Sequence, residues 1–476
     1  MAYRMETGNL RGPSRANTFD RSESERFENI TEDGDDGYTT EGERRGTFGK
    51  PVRASKTNDS RLRQATTLDE LEGIAAEPVG HFPGAVKGQG EANGVPNDVE
   101  MQHDTAERPP QNPTTTAAAA RDSKAAEVYT LSYLVFFAII GTLAREGLQA
   151  LTTYPAAPVS FGVLWANVGG SLVMGFLAED RKLFRYERGT ATYDEGLREA
   201  REGNGNTLYL AAAKKAHLAT KKTIPLYIGL ATGFCGSFTS FSSFIRDVFL
   251  AMSNDLPASG GITPGPRNGG YSFMAMLAVV IATVGLSISA LFVGAHLAAA
   301  LEPIVPSVPY PLGRRVMDRG VVVLGWGCWL GAVLLSIWPP YDVWRGQTVF
   351  SVVFAPLGCL GRYYTSKWLN LRVPSFPLGT FVVNIFGVAV LGMCWDLGHV
   401  GLGGVVGCQV LQGVEDGFCG CLTTVSTWVA ELTTLRRRHA YTYGATSVVV
   451  GLAVMVLIMG ALKWSSNGFG PLMCTH

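Results

Sequence analysis

Long apolar runs separated by short polar segments occupy the chain from residue 127 onward. Nine of these runs approach the length of about 20 residues that a helix needs to cross the hydrocarbon core of a bilayer. The runs are 127–150, 162–178, 223–252, 272–300, 318–338, 346–370, 376–398, 402–435 and 441–463. The pattern predicts an all-α polytopic membrane protein with nine spans in the lipid bilayer.

The first 126 residues are different, because they follow neither a helical nor a strand period. They are rich in Gly, Pro, Ser, Thr, Asp and Glu, and they hold 38 of the 80 charged residues of the chain. Such a segment buries too little apolar surface to offset its conformational entropy. We therefore expect 1–126 to be a disordered tail, and it lacks the pattern of a cleaved secretory signal.

Charge is balanced overall, with 40 Lys and Arg against 40 Asp and Glu, which argues against a nucleic-acid partner. The basic residues are unevenly placed between the apolar runs. Segment 179–222 carries ten Lys and Arg, whereas 151–161 and 399–401 carry none. Because cytoplasmic loops are enriched in Lys and Arg, the tail is predicted to be cytoplasmic and the C-terminus extracellular.

The chain also repeats itself. Six residues recur 217 positions later: Gly141, Arg145, Gly162, Asn167, Gly170 and Gly175 return as Gly358, Arg362, Gly379, Asn384, Gly387 and Gly392. Six more recur 184 positions later: Gly233, Phe234, Cys235, Gly236, Thr239 and Ser242 return as Gly417, Phe418, Cys419, Gly420, Thr423 and Ser426. The predicted organisation is a four-helix repeat at 127–300, a linker at 301–345 containing the span 318–338, and a second repeat at 346–476.

A single span between two four-span repeats makes the second repeat enter the membrane from the opposite side. Inverted repeats are common in proteins that move solutes across membranes. The third helix of each repeat is weakened by glycine, at 229–236 and 417–420. We expect both helices to be broken, and the freed backbone groups to line a cavity or to bind an ion.

Few polar residues lie deep in the predicted spans. Asn167 and Asn384 either donate to an anion or hold helices together. Arg145 and Arg362 are each an interfacial anchor or a vestibule charge that attracts anions.

Hydroxyl groups alternate with aromatic rings in the third helix of the first repeat. The hydroxyls of Thr239, Ser240 and Ser242 and the ring edges of Phe241 and Phe244 suit a small, hard anion. Ordinary packing of the two rings is the alternative.

These residues resemble the fluoride exporter family (Fluc in bacteria, FEX in fungi and plants) over about residues 127–463. The resemblance is carried by Gly141-Thr-Leu-Ala-Arg145, Leu164-Trp-Ala-Asn167-Val-Gly-Gly-Ser171 and Gly233-Phe-Cys-Gly-Ser-Phe-Thr-Ser-Phe-Ser-Ser-Phe244. In the second repeat it is carried by Gly358-Cys-Leu-Gly-Arg362, Gly379-Thr-Phe-Val-Val-Asn384 and Gly417-Phe-Cys-Gly-Cys-Leu-Thr-Thr-Val-Ser-Thr-Trp428.

The resemblance implies a passive fluoride channel in which one chain is a monomer equivalent to a bacterial dimer. It implies that Asn167 and Asn384 are pore asparagines and that Phe241 and Phe244 flank the fluoride path. It also implies a structural sodium ion on backbone carbonyls and a polar track on the fourth helix. The sodium residues would be Gly236, Thr239, Gly420 and Thr423, and the track candidates are Ser287, Ser289, Thr446 and Ser447.

The second repeat departs from the family pattern, because Val425 and Trp428 replace the phenylalanine pair. This departure indicates one functional pore and one degenerate pore, and it leaves open which asparagine serves the functional one. The expected function is plasma-membrane fluoride export.

Three alternatives remain. A proton- or sodium-coupled small-solute transporter on the same scaffold should place a titratable group in mid-membrane, and the sequence shows such groups only at span ends. An intramembrane enzyme would need a catalytic cluster, and His296 and His399 have no evident partners. The third is a scaffold that acts through its tail. The eight cysteines are expected to be small buried thiols.

Overall fold

A computed structural model describes residues 113–184 (except 156, 158 and 160), 218–256, 267–309, 312–339, 348–400 and 403–474 (except 467, 471 and 473). Within these ranges the regular structure is entirely helical. Most of the predicted tail, residues 1–112, and most of the basic segment between the second and third spans lie outside the described residues.

The first half of the chain contains five helices. They are α1 (Pro113–Thr152), α2 (Val163–Glu179), α3 (Pro225–Ile228, continued by the π-helical Gly229–Cys235 and the turn Gly236–Phe238), α4 (Phe241–Ser253) and α5 (Gly269–Leu301). A π-helical turn, Leu312–Met317, precedes the linker helix α6 (Asp318–Ile337).

The second half repeats this order. Its helices are α7 (Phe350–Leu369), α8 (Leu378–Val400), α9 (Gly404–Gly413, continued by the π-helical Val414–Cys419 and the turn Gly420–Leu422), α10 (Ser426–Thr434) and α11 (Arg437–Ser465). Each of the nine predicted apolar runs therefore corresponds to helix.

Among the residues that the structure describes, six helical segments are long and apolar enough to cross a membrane. They are Lys124–Thr152, Pro225–Ser253, Gly269–Leu301, Arg315–Ile337, Leu378–Val400 and Arg437–Ser465. Val163–Glu179 is apolar but shorter. The protein is therefore a multi-pass, all-helical membrane protein.

The start of α1 differs from the prediction. The helix begins at Pro113, so the boundary that placed a disordered tail up to residue 126 is wrong for its last part. The four alanines at 117–120 have the highest helix propensity of any residue, and proline is well tolerated in a first helical turn. This local preference extends the first helix beyond its apolar run, whereas the candidate membrane span begins at Lys124.

The predicted breaks in the two third helices are confirmed. Backbone angles become extended at Thr239 (φ −98°, ψ 150°) and at Thr423 (φ −94°, ψ 155°). Each break follows a π-helical segment, which contains the first glycines of the run identified in the sequence, and a short turn that begins at the last glycine. The breaks therefore divide each third helix into two half-helices, which are α3 and α4 in the first half of the chain and α9 and α10 in the second.

The second half-helix of each pair packs against the other half of the chain. α4 contacts α8 and α11, and α10 contacts α2 and α5. We call these two groups of helices the Asn384 side (α4, α8 and α11) and the Asn167 side (α2, α5 and α10), after the asparagine that each contains. The largest apolar core lies around α4 and joins Phe241, Phe244, Trp428 and Tyr443.

Glycine allows α2 and α5 to approach closely on the Asn167 side. A methyl group on Gly175 would collide with the carbonyl of Leu291, and one on Gly294 would collide with the carbonyl of Leu172. Small residues of this kind are the usual means of close helix packing in membranes.

Lys221, just before α3, fixes the segment that leads into this helix against the C-terminal end of α2. Its Nζ donates to the carbonyls of Leu177, Ala178 and Asp180 at 2.7–2.9 Å and so satisfies the end of α2. Burial lowers the pKa of Lys221 to about 8, against the opposing effect of the nearby Asp180 carboxylate. Burial likewise raises the pKa of Asp180, although Lys221 opposes that shift.

Two of the eight cysteines form a disulfide, which corrects the expectation that all are free thiols. Cys408 near the start of α9 is bonded to Cys474 near the C-terminus. Cys328 on α6 is free but exposed, and the five other free thiols are buried. The disulfide ties the segment after α11 to α9, and Phe469 in that segment packs on Trp395.

We predict that peptide mapping of the unreduced protein will recover Cys408 and Cys474 in one linked peptide pair. Replacement of both by serine should lower stability by roughly 2–4 kcal/mol, the usual contribution of such a cross-link. Alkylation of both thiols without prior reduction would contradict the pairing. Cys328 provides the internal control, because it should be alkylated in either state.

Candidate functional site

Each break is held by an asparagine from the second helix of the same half. Oδ1 of Asn167 accepts the N–H of Ser240 at 2.9 Å, and its Nδ2 donates to the carbonyl of the same residue at 3.4 Å. Asn384 binds both groups of Thr424 in the same way, at 2.9 and 3.3 Å. Each amide therefore replaces helical hydrogen bonds where the helix is interrupted, while Nδ2 keeps a second hydrogen for another acceptor.

The starts of the two second half-helices are capped from the opposite half of the chain. Each break threonine accepts two backbone N–H groups of the other half with its hydroxyl oxygen. The four bonds run from Phe241 and Ser242 to Thr423, both 3.1 Å, and from Val425 and Ser426 to Thr239, both 3.2 Å. The N–H groups at the N-terminus of each second half-helix, which have no partner within the helix, are thus bonded by a threonine of the opposite half.

Arg145 from α1 braces the junction between the halves. It is only 1% exposed. Its Nη1 donates to the carbonyl of Ser237 at 2.5 Å, and its Nη2 donates to the carbonyl of Asp416 in the other half. Gly420 leaves the space for this guanidinium, since a methyl group there would collide with it.

Arg362 from α7 makes the corresponding contacts. It is 3% exposed and donates to the carbonyls of Cys421 and Thr232, both at 2.8 Å. A methyl group on Gly236 would collide with its guanidinium. Arg145 and Arg362 are therefore buried where the two halves of the chain meet, and a role for them as vestibule charges or interfacial anchors stays a prediction.

The breaks release backbone carbonyls that a hard cation could use. The N–H of Ser240, which would bond the carbonyl of Gly236 in a continuous helix, bonds Asn167 instead. The N–H of Ser243 turns to Oγ of Ser240 at 3.2 Å and so releases the carbonyl of Thr239.

In the second half of the chain, backbone N–H groups likewise bond side chains instead of helical carbonyls. The N–H groups of Thr424 and Thr427 bond Asn384 and Oγ1 of Thr424, which releases the carbonyls of Gly420 and Thr423. Carbonyl oxygens are ligands of the kind that hard cations take. The four residues expected to bind sodium thus have the chemistry that such a site requires.

Aromatic rings lie directly beyond the first break. Phe241 and Phe244 are fully buried, and their ring centroids are 5.7 Å apart in an edge-to-face arrangement. Phe241 also meets Trp428 of the other half at 5.3 Å and 67°. Trp428 is 1% exposed, and its Nε1 has no hydrogen-bond acceptor among the described residues.

Unsatisfied hydroxyl groups mark the Asn167 side. The oxygens of Ser171 on α2 and of Thr283 and Ser287 on α5 are buried and have no partner in the described part of the chain. Ser171 lies one turn before Gly175, and Ser287 one turn before Leu291, so both flank the close contact of these helices. Buried polar groups without partners are uncommon, and each one calls for water or a ligand.

Carboxylates are also buried within the helices. Glu415 lies well inside the predicted span 402–435, which corrects the expectation that titratable groups occur only at span ends, whereas Asp247 and Glu431 lie near the ends of their spans as expected. Asp247, Glu415 and Glu431 are at most 7% exposed. Glu431 accepts from Thr380 at 2.6 Å and from the Tyr443 hydroxyl at 2.8 Å.

Arg246 lies beside two of these carboxylates. Its guanidinium is 3.5 Å from Asp247 and 4.0 Å from Glu415. It also stacks over the ring of Trp395, 5.6 Å from the centroid. Buried charges of this kind are retained in membrane proteins mainly where they pair or function.

Comparison with known proteins places this arrangement in a family. The family model described as CrcB-like protein, Camphor Resistance (CrcB), matches residues 132–295 and 349–461, once in each half of the chain. The chain belongs to the CrcB-like family. Relatives in this family are named as exporters and ion channels rather than as enzymes.

Several relatives of this CrcB-like protein have been named for fluoride. Fluoride export protein 1 of Neurospora crassa is 58% identical over 394 residues, which are 80% of this chain and 75% of the relative. Fluoride export protein 1 of Candida albicans is 36% identical over 74% of this chain and 84% of the relative. The fluoride-specific ion channel FluC of Geotalea uraniireducens is 40% identical over 84 residues, which are 17% of this chain and 66% of that protein. No solved structure matches the chain significantly.

The hydroxyls expected to line a pore in this CrcB-like protein are already bonded. Thr239 caps the other half, and Ser242 is 3.0 Å from the Thr423 hydroxyl and 3.5 Å from the Cys419 carbonyl. Ser240 is 2.9 Å from Ser243. These hydroxyls hold the junction together, and a role in fluoride binding stays a prediction.

The hydroxyls expected to form a polar track on the fourth helices differ in whether they already have a hydrogen-bond partner. Ser289 is exposed and donates to Gly285 within its own helix, and Ser447 donates to Tyr443 at 2.7 Å. Ser287 is the buried and unpartnered one. Sequence reasoning missed Ser171 and Thr283, although Ser171 follows Asn167 by one helical turn and Thr283 precedes Ser287 by one turn.

We predict that Thr423→Val will destabilise the protein by about 2 kcal/mol or more, because two buried N–H groups of α4 lose their acceptor. Thermal unfolding in detergent, followed by circular dichroism, measures the effect. Thr239→Val should act similarly on α10. Thr433→Val in α10, whose hydroxyl only bonds the Ala430 carbonyl, is the matched control. Equal melting temperatures for Thr423→Val and Thr433→Val would show that the exchanged caps contribute little.

Proposed function

We propose that this protein is a passive fluoride channel of the plasma membrane that exports fluoride from the cytosol. The observation that carries the proposal is the 58% identity to a fluoride export protein over most of both chains. A membrane potential that is negative inside drives an anion outward by about 2.3 kcal/mol per 100 mV, so export needs no coupled ion.

The geometry supports an anion path. Amide hydrogens of Asn167 and Asn384, buried hydroxyls and the edges of Phe241 and Phe244 are all electropositive groups at or near the breaks. Fluoride leaves water only if such donors replace its hydration.

The two halves are proposed to be inverted repeats that together make nine crossings and act as a monomer equivalent to a bacterial dimer. The reciprocal contacts support this arrangement, because the bonds of Arg145 and Arg362 are related by the same offsets as the sequence repeat. The halves differ at Phe241 and Phe244, whose counterparts are Val425 and Trp428. We therefore retain one functional pore and one degenerate pore.

A structural sodium ion is proposed at the carbonyls of Gly236, Thr239, Gly420 and Thr423. Its support is that the breaks release these four carbonyls from helical bonding. A cation there would tie the two breaks together by its positive charge. The guanidinium groups beside Gly236 and Gly420 oppose it, so the carbonyls must outweigh their repulsion.

Orientation follows from the basic loops and from the disulfide. The basic segment 179–222 belongs on the cytoplasmic side, which puts the N-terminus inside and the C-terminus outside. A bond between Cys408 and Cys474 fits an extracellular C-terminus, since disulfides persist in oxidising compartments.

We predict that a membrane-impermeant reductant and maleimide, added to intact cells, will label Cys408 and Cys474. The label should be absent when both residues are replaced by serine. Labelling only after the membrane is opened would reverse the proposed orientation.

A coupled transporter remains the second candidate, because Glu415 and Glu431 are buried within the helices. Proton coupling would make fluoride movement depend on a pH gradient. A channel would instead respond to the membrane potential and to the fluoride gradient, with no need for a pH gradient.

We predict that purified protein in liposomes will release fluoride quickly when a potassium diffusion potential is imposed, and that chloride will not follow. The double variant Phe241→Ile, Phe244→Ile should lose this efflux by at least tenfold while keeping its elution profile. The matched control is Phe273→Ile, Phe386→Ile, which changes two phenylalanines whose side chains are exposed on the outer surface of the helices.

Each other outcome has a distinct meaning. Efflux that needs a pH gradient and ignores voltage would establish the coupled transporter. Folded protein without any fluoride efflux would exclude both candidates.

A further inference from the structure

Trp428 stands where the family pattern has the second phenylalanine, at the position that the sequence assigned to a degenerate pore. The side chain is 1% exposed, and no described residue accepts a hydrogen bond from its Nε1. A phenylalanine would fill this place without any polar atom. The tryptophan therefore adds a donor that the packing of the helices does not need.

The position of this donor is defined by its neighbours. Trp428 lies one helical turn after Thr424, whose peptide group is held by Asn384. Its ring meets the ring of Phe241 at 67° and 5.3 Å. Although α10 itself packs against helices of the Asn167 side, the Trp428 ring belongs to the apolar core that contains Phe241 on α4, Val388 on α8 and Tyr443 on α11. Val388 lies one helical turn after Asn384, so the indole faces the Asn384 side.

The chemistry of an indole restricts what can satisfy it. Its N–H donates and cannot accept, so neither a cation nor another donor can be its partner. Leaving such a group buried without a partner costs free energy that a ring of the same shape would avoid. An anion, a water molecule or the face of Phe241 are the possible acceptors.

We propose that Trp428 donates its indole N–H to fluoride on the Asn384 side and that this side is the conduction route. The proposal rests on the proposed function and identifies a residue that binds the conducted ion. Trp428 then adds a hydrogen-bond donor to the functional pore, and its presence does not make that pore degenerate. The Asn167 side, with its unpartnered hydroxyls at Ser171, Thr283 and Ser287, is the competing route.

The flux test uses Trp428→Phe, which removes the N–H and keeps an aromatic ring. Fluoride efflux from liposomes should fall about tenfold or more, because a hydrogen bond to a charged group is lost. Trp464→Phe, at an exposed tryptophan of α11, controls for the loss of an indole and should conduct like the wild type. Thr283→Val, Ser287→Ala removes two unpartnered hydroxyls of the Asn167 side and so tests the competing route in parallel.

A binding test measures the wild-type protein directly and uses the variant only to assign a resonance. In protein labelled with ¹⁵N-tryptophan, the chain gives nine indole N–H resonances. Sodium fluoride should shift one of them strongly, whereas the same concentration of sodium chloride should leave it in place. That resonance should be missing from the spectrum of Trp428→Phe.

The failures can be told apart. Wild-type protein without fluoride efflux would remove the proposed function itself. Wild-type efflux that persists within twofold in Trp428→Phe, or the absence of any fluoride-specific indole shift, would overturn only the present proposal. Loss of efflux in Thr283→Val, Ser287→Ala but not in Trp428→Phe would assign conduction to the Asn167 side.

Discussion

The arrangement of this protein depends on satisfying the backbone where two helices are interrupted inside the membrane. The hydrocarbon core offers no water to a free N–H or carbonyl, so an interruption survives only if protein groups replace the lost helical bonds. Here each half supplies what the other lacks. The threonine hydroxyl at one break caps the half-helix that follows the other break, and an arginine from each half binds carbonyls of both.

Glycine makes this exchange possible. The guanidinium groups of Arg145 and Arg362 occupy the space beside Gly420 and Gly236 that any side chain would fill. A glycine run that looks like a weakness in a helix is thus the condition for burying two charged groups between the halves. The cost of that burial is offset because each charge binds two carbonyls of the interrupted helices.

Much of this could be predicted from the sequence, because repetition is visible in the letters. The offsets of 217 and 184 residues, the glycine runs and the apolar lengths located the helices and both breaks. The start of α1 could not be found from hydropathy, since the alanines at 117–120 extend the helix by local propensity alone. The partners of Thr239, Arg145 and Glu431 depend on which helices meet, and that information is absent from spacing along a single chain.

The two caps also impose an order on biosynthesis. The backbone N–H of Phe241 finds its acceptor in Thr423, a residue 182 positions later in the chain. The first half therefore leaves the ribosome with its interruption uncapped, and it cannot reach its final form until the second half has been inserted. A chain truncated before the second break would leave the first N–H groups of α4 without acceptors inside the membrane. Cellular quality control would therefore recognise it as an incompletely folded membrane protein.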